Sequence, residues 1–136
     1  SPEVKAAMGR FGNALGMAFQ IVDDLLDVTE VEAVTGKPSG HDLKEHKVTL
    51  PLIYSLPRFS GAERADVADL MATPEPSDEQ VARVVAHVRA AGGIDYAKSR
   101  AQAMGETALA ELRCLPPSAD RDRLVQSVAF VTERRR

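Results

Sequence analysis

Three carboxylates fall within one turn of the segment Phe19-Gln20-Ile21-Val22-Asp23-Asp24-Leu25-Leu26-Asp27. Asp23 and Asp27 are four residues apart and Asp24 and Asp27 three apart. On a helix they share a face, with Cβ atoms ~5–6 Å from one another. Gln20 extends the same stripe by one turn. Around it stand core-type side chains: Phe19, Ile21, Val22, Leu25, Leu26 and Val28. Local rules oppose such a cluster. Like charges at this spacing repel, and the macrodipole disfavours anions near a helix C-terminus. Sequences break local rules mostly at functional sites. A bound cation is the natural relief. Hard oxygen donors suit Mg²⁺, which takes one or two protein carboxylates, several waters and a substrate phosphate. A solvated acidic face is the plainer alternative, but apolar residues flank this stripe.

The elements that must position these groups read as helices throughout. Ser1 suits an N-cap, Pro2 the first helical position and Glu3 the first turn. No breaker follows until about Thr29. One apolar row is Phe11, Leu15, Phe19, Val22 and Leu26; another is Met17, Ile21, Leu25 and Val28. Gly9, Gly12 and Gly16 continue the polar stripe backwards. An interior glycine costs ~1 kcal/mol against alanine, so three of them predict close packing or ligand approach. A helix apolar on most sides is expected to be central.

Residues 30–47 are predicted to be mainly irregular, with Gly36, Pro38 and Gly40 as turn signals and Lys37, Lys44 and Lys47 as cations. A glycine loop bearing lysines beside an acidic helix end suits a metal-bridged phosphate. Val48–Leu56 is short and apolar. Ser60-x-x-Glu63 and Ser77-x-x-Gln80 are capping boxes that open further helices, the second expected to end at Gly92-Gly93. Ile94 to Leu115 and a last segment around Leu124, Val128 and Val131 complete an all-α chain. The terminal Arg134-Arg135-Arg136 reads as a solvated tail, with a phosphate role as the alternative.

At 136 residues and 44% hydrophobic, the chain is one domain at most. A net charge of −3 gives it no basic footprint for nucleic acid. No apolar run reaches the ~18–20 residues of a membrane span and no signal-peptide pattern is present, so a cytoplasmic location is expected. Cys114 is the single cysteine and reads as a small hydrophobe near a helix end. Other chemistries fail on spacing. Around Gly36-Lys37 a P-loop would need Gly where Val31 stands and Ser or Thr where Pro38 stands. The aspartates lie on a helix rather than in an EF-hand loop. His41, Asp42 and His46 match no standard zinc spacing.

Three blocks in order, Gly16 to Asp27, Thr35-Gly36-Lys37-Pro38-Ser39-Gly40-His41-Asp42-Leu43, and Lys47-Val48-Thr49-Leu50-Pro51-Leu52, resemble the C-terminal half of trans-isoprenyl diphosphate synthases. Gly92-Gly93-Ile94-Asp95-Tyr96-Ala97 also looks like that family, so the resemblance covers nearly the whole chain, residues 1–136, as an incomplete domain. It implies part of the isoprenoid synthase helical bundle, with a long central helix followed by shorter ones. It also implies Mg²⁺-assisted ionisation of an allylic diphosphate, attack by isopentenyl diphosphate and proton loss. Asp23 then matches the first metal ligand of a second aspartate-rich motif. Asp24 and Asp27 complete the motif as direct or water-mediated ligands. Lys37 matches a diphosphate-binding lysine, Lys47 is expected to neutralise the same cluster, and Gln20 and Phe19 line the allylic site. His46 departs from the pattern, which usually has glycine before that lysine.

A first aspartate-rich motif, a nearby arginine pair and an earlier Lys-Thr are absent from this sequence. The expectation is a fragment of a synthase, or a subunit completed by a partner, inactive alone and prone to self-association. Two alternatives stand beside it: a non-catalytic helical subunit that regulates a partner synthase, and a fragment of a class I terpene cyclase.

Overall fold

The computed structural model describes residues 1–33 and 40–134, with the side chains of 30–33 left aside. The described residues form helices α1 (Pro2–Ala33), α2 (His41–Lys44), α3 (Leu50–Ser55), α4 (Gly61–Ala72), α5 (Asp78–Ala90), α6 (Gly93–Glu111) and α7 (Ala119–Thr132). Single 3₁₀ turns follow α3 and α6 at Leu56–Arg58 and Leu112–Cys114. The all-α expectation holds. Two compact units divide the chain: Ser1–Asp23 with Lys98–Arg136, and Asp24–Ala97.

In the first unit the N-terminal two-thirds of α1 meets α6 and α7. Phe11, Ala14, Ala108, Leu112 and Val128 are buried together, with Met8, Leu15, Leu115 and Leu124 packed against them. Ala7, Phe11, Ala14 and Ala18 recur at helical spacing and are all buried. Gly105 lets α6 and α7 approach closely: a Cβ there would lie 2.7 Å from Thr132 Cγ2. Arg10 Nε donates to Glu111 Oε2 at 2.9 Å across the unit's surface.

In the second unit α4 and α5 pack as a pair and α5 also meets α3. Val67, Leu70, Val81, Val84, Val85, Val88 and Ile94 are among its buried side chains. Both predicted capping boxes form, reciprocally, at Ser60/Glu63 and Ser77/Gln80. His87 on α5 reaches back to α4, its Nε2 lying 2.7 Å from Asp66 Oδ2.

Several expectations are corrected. Helix α1 runs past Thr29 to Ala33, and within it the Thr29 hydroxyl donates to Leu26 O, so its polar group is satisfied without ending the helix. Within 30–47, His41–Lys44 is helical, while residues 34–39 lie outside the described part. Only Gly92 serves as the turn after α5, at φ +88°; Gly93 begins the next helix. Cys114 is exposed rather than packed.

Gly9, Gly12 and Gly16 have no heavy atom of the described chain within 4 Å of a Cβ placed on them. The packing expected against them is not supplied by these residues. Met17 (50% exposed) and Phe19 (39% exposed) border this stripe, whereas Phe11 is buried. Self-association is therefore expected to bury the stripe side of α1 when the chain is alone, since exposed large apolar side chains favour association. Sedimentation at micromolar concentration should show species larger than a monomer, and a compact monomer silent to hydrophobic dyes would contradict this.

Candidate functional site

Helix α1 carries the acidic stripe on the side away from its core face. Ala18, Ile21, Val22 and Leu25 are buried, while Gln20 is exposed and Asp23 and Asp24 are half-buried. At about 100° per residue, Asp23 and Asp27 differ by only about 40° around the axis, and Asp24 lies to one flank. Despite this spacing, no group of three or more His, Cys, Asp or Glu side chains converges on a metal-sized position among the described residues. Two of the three aspartates have partners distant in sequence.

In the first unit, Asp23 Oδ1 accepts a hydrogen bond from Arg134 Nη2 at 3.3 Å. The same guanidinium lies over the Phe19 ring, its carbon 4.4 Å from the centroid. Phe19, Asp23 and Arg134 thus form one contact group, a ring and a carboxylate one turn apart on α1 joined by one cation. Arg134 is only 20% exposed, so this arginine is not a solvated side chain. The like-charge stress read from the sequence is partly relieved by this residue, where a cation was expected.

In the second unit, Asp27 is 9% exposed. Its Oδ1 accepts the His41 backbone N–H at 3.0 Å and its Oδ2 the Asp42 N–H at 3.1 Å. Those are the first two amides of α2. Gly40, in the N-cap position, has left-handed geometry at φ +71° and no side chain to cap with. Asp27 supplies the missing cap from fourteen residues upstream, an anchor that the motif reading did not anticipate.

Helix α2 closes in a Schellman turn. His46 N–H donates to Leu43 O at 3.0 Å and Lys47 N–H to Asp42 O at 2.7 Å. The turn places His46 at φ +62°, a region that favours glycine. Glycine, the residue expected there from the resemblance, would take this conformation without strain. His46 is held by its ring, whose Nε2 lies 2.7 Å from Thr73 O. Replacement His46→Gly removes left-handed strain of about 1–2 kcal/mol and a hydrogen bond of about 0.5–1.5 kcal/mol. The two nearly cancel. Urea denaturation should find the variant within about 1 kcal/mol of the parent.

Lys47 pairs with Glu45, Nζ to Oε2 at 2.9 Å, and is 61% exposed. Glu45 raises the Lys47 pKa first by this hydrogen bond and then by charge. Asp42 and Asp24 add smaller effects at longer range. Its near partner is therefore Glu45, and the aspartates are more distant neighbours. Lys37 lies outside the described residues.

The fold has close counterparts. The crystal structure of a decaprenyl diphosphate synthase from Rhodobacter capsulatus aligns with TM-score 0.85 and 31% identity, over 100% of this chain and 41% of that one. A geranylgeranyl pyrophosphate synthase from Corynebacterium glutamicum, complexed with calcium and isoprenyl diphosphate, aligns with TM-score 0.80 and 33% identity, over 98% of this chain and 41% of that one. The architecture is that of all-α prenyl diphosphate synthases. In sequence, an all-trans-nonaprenyl-diphosphate synthase (geranyl-diphosphate specific) from Rhodobacter capsulatus is 38% identical over 133 residues, 98% of this chain and 40% of the relative. The polyprenyl synthetase family model matches residues 1–88. The chain belongs to the polyprenyl synthetase family. It spans about two-fifths of the length of these relatives. No helix among the described residues is long and apolar enough to cross a membrane.

Proposed function

We propose that this chain is the C-terminal half of a Mg²⁺-dependent prenyl diphosphate synthase, the half that carries the second aspartate-rich motif. The complete enzyme would join an allylic diphosphate to isopentenyl diphosphate. The observation that carries the reading is the stripe Gln20, Asp23, Asp24 on the side of α1 away from its core, in a chain of this family. The calcium and isoprenyl diphosphate bound to the Corynebacterium relative support a site for divalent cation and diphosphate.

The donor set fits magnesium. Asp23 and Asp24 offer hard carboxylate oxygens on one helix, and Mg²⁺ needs few protein ligands when waters and phosphate complete its shell. When bound, Mg²⁺ supplies positive charge to the diphosphate oxygens as the allylic C–O bond breaks. Asp27 has a different part: its carboxylate fixes the start of α2. Lys37 is the residue assigned to the diphosphate, and Lys47 is the second lysine proposed to neutralise its charge. Gln20 and Phe19 line the allylic chain at the reacting end. The missing half, whether joined to this chain or separate, supplies the opposing carboxylates. This chain alone then gives no elongated product from geranyl and isopentenyl diphosphates.

Thermal melts with Mg²⁺ and pyrophosphate test the reading. Ligands that bind only the folded state stabilise it by mass action, and a rise of roughly 3 °C or more is expected with both together. Asp23→Asn/Asp24→Asn should abolish most of that rise, and an undiminished rise would overturn the assignment. Asp27→Asn is unsuitable for this purpose, since it breaks the cap on α2 and destabilises the chain by itself.

A further inference from the structure

We propose that Arg134 is a built-in competitor for the cation at Asp23. In the free chain its guanidinium occupies that carboxylate, and a divalent cation binds only as Arg134 leaves. The inference rests on the reading of Asp23 as a metal ligand and adds a regulatory contact to it.

Three observations support the contact, and a fourth shows why it can give way. Arg134 Nη2 lies 3.3 Å from Asp23 Oδ1, at a position 111 residues away in sequence. The guanidinium is stacked on Phe19, one turn before Asp23, so its plane is held rather than free to sweep. The side chain is mostly buried although it follows the last turn of α7, with Glu133 as the helix C-cap. Finally, Arg134 Nε is buried and finds no hydrogen-bond acceptor among the described residues.

The last point makes this contact displaceable. A buried donor without an acceptor destabilises the docked position relative to one with every N–H bonded. A cation placed on Asp23 Oδ1 would repel the guanidinium that contacts the same oxygen. Docked arginine and bound cation are therefore alternative states, and the cation's apparent affinity is reduced by the fraction of chains in which Arg134 is docked. Once displaced, the residue leaves Phe19 uncovered as well, so cation entry and exposure of an apolar face become one event.

The test uses Mn²⁺ alone, followed by the electron paramagnetic resonance signal of the free ion. The 136-residue chain is compared with its Arg134→Gln, Phe19→Leu and Asp23→Asn variants. Arg134→Gln should bind Mn²⁺ about fivefold more tightly at low ionic strength, the factor expected of a partly exposed ion pair. Phe19→Leu, which removes the platform under the guanidinium, should shift affinity in the same direction by less. Asp23→Asn should weaken binding and remove the effect of the Arg134 change. Circular dichroism checks that each variant is folded. Unchanged Mn²⁺ affinity in Arg134→Gln, with binding still sensitive to Asp23→Asn, overturns the proposal and leaves the metal assignment standing. Binding insensitive to Asp23→Asn overturns both. Weaker Mn²⁺ binding in Arg134→Gln would also overturn the proposal, because it would make the arginine a helper of the site.

Discussion

Asp23→Ala in the complete synthase is expected to lower turnover by more than about 100-fold. The allylic step separates charge: a carbocation forms while negative charge collects on the departing diphosphate. Removing one fixed electrostatic stabiliser of developing charge reduces rates by about 10²–10³. The carboxylate is on the side of α1 away from the core and is 46% exposed, so its removal opens no cavity in the packed interior. The loss of the Arg134 pair should affect folding by no more than about 1 kcal/mol. Activity should therefore collapse while the melting temperature moves little. Steady-state kinetics beside a thermal melt would show this, and an enzyme whose turnover is indifferent to Asp23→Ala would remove the central assignment. Lys37→Ala should show a milder loss, concentrated in diphosphate binding.

Gly93→Ala is expected to give a large loss of stability. Gly93 starts α6 where α3 and α5 press against it. A Cβ there would lie 2.9 Å from Val88 Cγ1 and closer still to Ser55 Oγ and the backbone oxygen of Pro51. Ser55 cannot easily yield, since its buried hydroxyl donates to Pro51 O at 2.8 Å. A backbone carbonyl cannot rotate away without disturbing α3. Overpacking of this kind costs about 3 kcal/mol or more. Gly12→Ala offers an internal comparison. No described heavy atom lies within 4 Å of its Cβ position, so helix propensity alone should make it neutral or stabilising by up to about 1 kcal/mol. Urea denaturation of the two variants gives the contrast directly, and equal midpoints would show that the contact around Gly93 is not tight.

Much of this protein could be read without coordinates, because much of it is governed by local physics. Helix spacing, capping boxes and breakers depend on neighbours within four residues. That is why α4 and α5 begin where Ser60 and Ser77 predict. The aspartate stripe was legible for the same reason: its residues are neighbours on one helix, and their mutual repulsion is written into their spacing. The departure at His46 was visible as a residue type; its meaning was not. Only the backbone shows that the position has φ +62° and closes a Schellman turn.

The fates of the individual carboxylates were decided by partners distant in sequence. Asp27 reads like its neighbours but is turned to cap α2, fourteen and fifteen residues on. Asp23 meets an arginine that composition alone would leave in solvent. The two glycines Gly92 and Gly93 look alike in sequence, yet one is required by backbone conformation and the other by the proximity of α3. Local rules set which segments are helical and which faces are polar. Which polar group binds a ligand and which holds the fold depends on the distant atoms that burial brings within hydrogen-bond reach.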